Sequence, residues 1–254
     1  MLISQGAARN ERINLNLACS LAAIAGALNA AAFYAVGFFS ANMTGNVSAL
    51  SDHLATRQWM PSLFFLAIVV VFVSGSTLSS LLINAGRRQG IRGIYAYSIL
   101  VEAGLLALLG GADLWMTAGW RVSLLVLGLA FLMGLQNATV TRISDARVRT
   151  THVSGMVTDI GIELGIAIDI LRRREPNEHA AQNFARLKLH VYTIAAFLIG
   201  GVIGVLIYQA VGGYLLLACA ALLFLIAMTG LHHARRTFAT TATRRYRWRP
   251  PRGN

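Results

Sequence analysis

Six long stretches of this chain carry almost no charge, and about 20 consecutive apolar residues are what a helix needs to cross the hydrocarbon core of a bilayer. They lie near residues 15–38, 61–84, 93–111, 120–141, 190–210 and 213–231. Inside lipid every backbone polar group must be satisfied within the protein, which confines such a chain to a bundle of helices. Only 13% of the 254 residues are charged, against about 25% in a soluble domain, so a string of soluble domains is excluded. Cys19 and Cys219 both fall inside apolar stretches and read as packing residues, without disulfide or metal spacing.

A net charge of +12 raises the question of nucleic acid, and the placement of the charge answers it. Arg9 and Arg12 precede the first span, and Arg87, Arg88 and Arg92 follow the second. The connection between spans four and five carries Arg142, Arg147, Arg149, Arg172, Arg173, Arg174, Arg186 and Lys188, and the tail adds Arg235, Arg236, Arg244, Arg245, Arg247, Arg249 and Arg252. The other two connections hold little beyond Asp52, Arg57 and Asp113, together with Trp59, Trp115 and Trp120 of an interfacial aromatic belt. All basic connections share one side if the span count is even and both termini are cytoplasmic, as the positive-inside rule requires. The expected partner of the Arg-rich face, including the tail Arg244-Arg-Tyr-Arg-Trp248-Arg-Pro-Pro-Arg252, is therefore anionic lipid and not nucleic acid. A homo-oligomer is compatible with this arrangement.

Residues 153–171 are apolar enough to suggest a seventh span, but they contain Asp159, Glu163 and Asp169, and a seventh crossing would export the basic tail. They are expected to form a re-entrant or protein-lined half-helix, with residues 45–57 as a shorter counterpart. The three acids are expected on a solvated face near Arg172–Arg174. The first apolar run is longer than a signal-peptide core of about 7–15 residues and stays as a span.

The chain also repeats itself. Gly26-Ala-Leu-Asn29-Ala30 is followed by Asn42-Met-Thr44-Gly45-Asn46-Val47, and Gly134-Leu-Gln-Asn137-Ala138 by Thr151-His-Val-Ser154-Gly155-Met-Val157. Thr44 lies 15 residues after Asn29, and Ser154 lies 17 after Asn137. Further on, Phe72-Val-Ser-Gly75 matches Phe197-Leu-Ile-Gly200, with Ser79 and Gly204 four residues later. The second half carries a polar insertion, about Arg172–Leu187, containing Pro176. Three spans per repeat imply halves inverted in the bilayer, the first break opening on the outer side and the second on the cytoplasmic side.

Taken together, Gly26, Asn29 and Ala30, then Phe38 through Asn46, then Gly134, Asn137, Ala138 and Thr150 to Gly155 resemble the YoaK-type family of six-span bacterial membrane proteins, a domain of unknown function. The resemblance covers about residues 15–231 and implies a bacterial inner-membrane location and a transport-related role without naming a substrate. Asn29 stands where the family pattern often shows Asp, and Ser154-Gly155-Met156 replaces a second Thr-Gly.

Candidate site residues follow from the repeat. A helix broken at Gly frees backbone N–H and C=O groups for a ligand, and the next half-helix directs its positive end there. Asn42, Thr44, Gly45 and Asn46, with Thr151, Ser154 and Gly155, are the expected substrate contacts, although Asn and Thr also serve as plain helix caps. Asn29 and Asn137 are expected to line a central cavity or to bond between helices, with Gln136 in the same cluster. Glu102 is the one carboxylate deep in an expected span, where an ionised group costs several kcal/mol. It must be neutral, paired or facing water, and is the candidate for proton coupling. The ladders Ala18/Ala22/Gly26/Ala30, Gly75/Ser79 and Ala196/Gly200/Gly204 are expected packing seams.

Enzyme signatures are absent from the sequence: no His-Glu-x-x-His, Gly-x-Ser-x-Gly or Walker loop, and no trustworthy metal-ligand spacing among six His. No cofactor and no enzymatic activity are expected. The expectation is an all-α integral membrane protein of six transmembrane helices in two inverted three-helix repeats, each with a Thr/Ser-Gly helix break. A cytoplasmic arm (1–14) precedes the membrane domain (15–231; repeats about 15–111 and 120–231), and a basic disordered tail (232–254) follows. It would bind or move a small solute or ion. The alternative is a non-transporting assembly partner or sensor whose polar core is structural.

Overall fold

The computed structural model describes residues 2, 10–91, 93–116, 118–172 and 180–246, and among them finds eight helices. These are α1 (Glu11–Val36), α2 (Met43–Ala55), α3 (Trp59–Arg88), α4 (Ile94–Trp115), α5 (Ala118–Ser144), α6 (Val153–Leu171), α7 (Ala180–Val211) and α8 (Tyr214–Tyr246). Six of them, all but α2 and α6, are long and apolar enough to cross a membrane. That agrees with the six expected spans. The two short helices occupy the segments expected to be half-helices.

Local chemistry sets the ends of α1. Asn10 caps its start, its Oδ1 accepting the Ile13 N–H at 2.8 Å, and Glu11 sits favourably at the positive end. Gly37 stops the helix in the left-handed region (φ 76°), its N–H returning to the Phe33 carbonyl at 2.8 Å.

Helices α1, α4, α5 and α8 enclose the main core, in which Leu17, Leu21, Leu28, Tyr95, Ile99, Leu129, Met133 and Leu223 are fully or almost fully buried. Helices α3 and α7 flank it, contributing buried Ile83 and Tyr208. Leu63, Leu66, Val70 and Val73 of α3, and Leu198, Ile199, Val202 and Ile203 of α7, are exposed and suit a lipid-facing surface. Trp59, Trp115 and Trp120 are also exposed, as an aromatic belt requires.

The most extensive helix contacts are α1 with α7, α3 with α5 and α4 with α8. Two of these crossings use matched glycines. A Cβ on Gly26 would strike the Phe197 carbonyl, and one on Gly200 would strike that of Ala23. Likewise Gly134 lies on the Phe72 carbonyl and Gly75 on that of Phe131. Only glycine permits backbones this close, so the small-residue seams are packing contacts as expected. At the next step Gly204 packs on Ala27. Its counterpart Ser79 instead bonds Thr139 at 2.8 Å, and Thr139 also meets Ser98 at 2.7 Å, joining α3, α5 and α4 through buried hydroxyls.

Several boundaries differ from expectation. Helix α7 begins ten residues before the expected 190, because Ala180–Leu189 is rich in strong helix formers. Its early part is tied down, Asn183 Nδ2 donating to the Glu163 carbonyl at 2.9 Å. The remainder of the expected insertion, 173–179 with Arg173, Arg174 and Pro176, lies outside the described residues. Helix α8 continues through residues 232–246, where disorder was expected, while the tail from 247 onward and residues 3–9 of the arm lie outside the described residues.

Candidate functional site

The chain leaves the helix at residues 37–42 and again at 145–152, just before the Thr44-Gly45 and Ser154-Gly155 pairs. Those pairs therefore lie in the first turns of α2 and α6, and their glycines are not the points of breakage. Neither has a positive φ; the left-handed turns are made by Gly37 in the first half and by Asp145 and Ala146 in the second. What Gly45 and Gly155 supply is room. A Cβ on Gly45 would collide with the Asn42 amide, and one on Gly155 with the His152 ring. Asn42 and His152 are the N-cap residues of α2 and α6. Each glycine lets the side chain three positions earlier fold over its helix end.

Each loop is also held by the Asn of the preceding long helix. Asn29 Oδ1 accepts the Ala41 N–H at 2.9 Å. Asn137 Nδ2 donates to the Thr151 hydroxyl at 2.6 Å, and its Oδ1 accepts from the Thr150 hydroxyl at 3.1 Å. The two Asn residues thus do corresponding work, shaping the segment that follows them.

The two loops border a single cavity of about 660 Å³. Asn29, Asn42 and Thr44 of the first half and Asn137, Thr151 and Ser154 of the second all line it. Six of the nine expected contact residues therefore come together, from segments about a hundred residues apart. The other three do not reach the wall. Gly45 and Gly155 sit behind their N-caps, and Asn46 is buried, its Nδ2 donating to the Phe39 carbonyl at 3.4 Å.

Phe39, Phe72, Phe197, Thr141, Arg149 and His152 also line the cavity and were not foreseen. Phe72 and Phe197 carried a signal, standing at matched positions three residues before Gly75 and Gly200. In the sequence Arg149 carries only a topological signal. Its Nη1 donates to His152 Nδ1 at 3.1 Å.

Glu102 does not line the cavity but connects to it. It is 1% exposed, and its Oε1 accepts from Gln136 Nε2 at 2.8 Å. Gln136 Oε1 in turn faces the Thr150 hydroxyl at 3.4 Å, which also bonds Asn137 on the cavity wall. Glu102 Oε2 has no hydrogen-bond partner among the described residues, and Glu102 makes no ion pair there. A neutral amide network thus leads from the buried carboxyl to the loop at 150–151.

Two acids depart from expectation. Glu163 is buried rather than solvated, its carboxylate 3.0 Å from His190 Nδ1. The His190 ring also approaches Asp159 at 3.9 Å, so α7 covers this side of α6. Asp113, expected in a loop, is buried in the last turn of α4 and pairs with Arg121 at 2.6 Å, while Arg121 Nη2 donates to the Tyr208 hydroxyl at 2.9 Å. In sequence both looked like ordinary connection charges.

The six long apolar helices and their lipid-suited outer faces define a multi-pass membrane protein. Residues 17–229 match the family described as Protein of unknown function (DUF1275), and the chain belongs to that family. No curated protein and no solved structure matches it.

Proposed function

We propose that this chain is a bacterial inner-membrane protein that binds a small solute between its two breaks and moves it across the bilayer. The observation that carries this reading is the shared cavity, lined by Asn29, Asn42 and Thr44 from one half and Asn137, Thr151 and Ser154 from the other. Its volume falls in the usual range for small-molecule sites, about 300–1,000 Å³. The matched crossings of Gly26 with Phe197 and Gly134 with Phe72 support two repeats of one design. Three spans in each would place them inverted, with the solute at their interface. Both termini would be cytoplasmic, and the Arg-rich face would lie against anionic lipid. The role is binding and translocation, not catalysis. Glu102 would couple proton uptake to the loop at 150–151 through Gln136.

A second reading, a non-transporting partner or sensor with a structural polar core, draws on one observation. Asn137 has both ends of its amide satisfied inside the protein.

Paired glycine substitutions separate the two. Gly45→Ala and Gly155→Ala displace the Asn42 and His152 caps, both of which line the cavity. A thermal-shift screen of the purified protein identifies stabilising solutes, since a ligand that binds only the native state stabilises it by mass action. Both substitutions should then weaken the same solute, and the double variant should be non-additive because the two sites are coupled. If one substitution is silent, the shared site is wrong. If binding is intact but proteoliposomes show no uptake, the sensor reading replaces transport.

A further inference from the structure

We propose that the solute is a small organic anion, a monocarboxylate with an apolar body; this rests on the reading of the cavity as a solute site. The argument comes from the charge and hydrogen-bonding character of the wall. Among the described residues no Asp or Glu lines the cavity, and Arg149 is the one charged residue on its wall. A cation would meet a like charge and no counterion, and the ammonium of a zwitterion would have no acidic partner.

The neutral polar groups also present donors. A backbone N–H can only donate, so the bonds from Ala41 N to Asn29 Oδ1 (2.9 Å) and from Gly45 N to Asn42 Oδ1 (3.1 Å) fix both amides with their oxygens already engaged. The NH2 end of each is left for the cavity. Asn29 is only 8% exposed, and its NH2 makes no hydrogen bond to the described residues. This NH2 is not sealed inside the protein but opens onto the cavity, where it is free to donate to an acceptor that enters. His152 adds a further donor. Arginine has no acceptor, so the 3.1 Å contact with Arg149 makes His152 Nδ1 the acceptor and leaves the ring proton on Nε2.

The first turns of α2 and α6 reach the same wall through Met43 and Thr44 and through Val153 and Ser154. Two positive helix ends therefore converge beside Arg149, which again favours negative charge. Opposite in character are Phe39, Phe72 and Phe197, which offer an apolar surface too large for an inorganic anion to use. The carboxylate would sit toward Asn29, Asn42 and Arg149, and the apolar body against Phe72 and Phe197.

Calorimetric titration of the full-length protein in detergent, with charge-matched probes, tests this. Hexanoate, benzoate and phenylacetate are each compared with the corresponding amide and amine, and with inorganic phosphate. At least one carboxylate should bind saturably and at least tenfold more tightly than its amide or amine. Arg149→Gln should weaken it tenfold or more and Arg149→Lys much less, while Asn29→Asp should abolish carboxylate binding and favour the amine. Circular dichroism confirms that each variant is folded. Tighter binding of an amine or amide, weakened by Thr44→Val, overturns the anion and leaves the solute site standing. Binding of phosphate alone overturns the organic class. No saturable binding by any probe overturns both the anion and the solute-site reading.

Discussion

The side-chain oxygen of Asn29 takes the backbone N–H of Ala41 at 2.9 Å, so the helix before the first break also sets the shape of the break. Asn137 does the same for the second break through Thr151 at 2.6 Å. Removing either partner leaves a buried polar group unsatisfied, at a cost of about 1–3 kcal/mol. Asn29→Ala and Asn137→Ala should each lower the thermal unfolding midpoint in detergent. Asn137→Ala should be the more damaging, because it also frees Thr150. Two variants as stable as the parent would show that the loops hold themselves.

The glycine crossings make a sharper contrast. Gly26→Ala drives a methyl into the Phe197 carbonyl, whereas Gly104 on α4 has nothing within 4 Å of its notional Cβ. Overpacking of this kind costs about 1–3 kcal/mol. Gly26→Ala should therefore unfold at a distinctly lower temperature, and Gly104→Ala should be neutral or slightly more stable. Since Gly26 and Gly200 share the α1–α7 crossing, the double substitution should cost less than the sum of the singles. Equal effects at 26 and 104 would refute the close approach.

Glu102→Gln preserves an acceptor for Gln136 Nε2, so the variant should fold and insert normally, within about 1 kcal/mol of the parent. Glu102→Leu removes that acceptor and should be less stable. In proteoliposomes, Glu102→Gln should retain solute binding and lose uptake driven by a proton gradient. Full gradient-driven uptake by this variant would reduce Glu102 to a packing element.

Topology is open to direct measurement. Reporter fusions at residues 90, 180 and 240 should score cytoplasmic, and fusions at 55 and 116 external, as the basic connections dictate. A cytoplasmic signal at 116 would break the six-span inverted arrangement.

Much of this was legible in the sequence because lipid is an exacting solvent. Apolar length located six spans, and the acids of residues 153–171 separated α6 from them. The repeat located Asn29 and Asn137, while the chain leaves the helix a few residues before the Thr44-Gly45 and Ser154-Gly155 pairs and not at them. Less legible was what each motif glycine does: Gly45 looks like a break until the Asn42 side chain is seen lying over it. Pairing between distant charges was equally hidden, since nothing near Asp113 in sequence reveals the Tyr208 hydroxyl that completes its ion pair with Arg121. The place of Arg149 on the cavity wall is hidden for a related reason. A loop arginine has the same appearance whether it faces water or a cavity.

The pairing of α1 with α7, α3 with α5 and α4 with α8 has a consequence for biogenesis. Each of these three pairings joins one half of the chain to the other, while α2 and α6 pack on α3 and α7 of their own halves. When the ribosome has delivered the first four helices, Gly26 and Gly75 still face lipid, and Ser79 and Ser98 still lack the Thr139 hydroxyl that joins them. The long helices of the first half must wait in the bilayer loosely associated until the second half arrives to interlock with them, so the two halves mature as one cooperative unit.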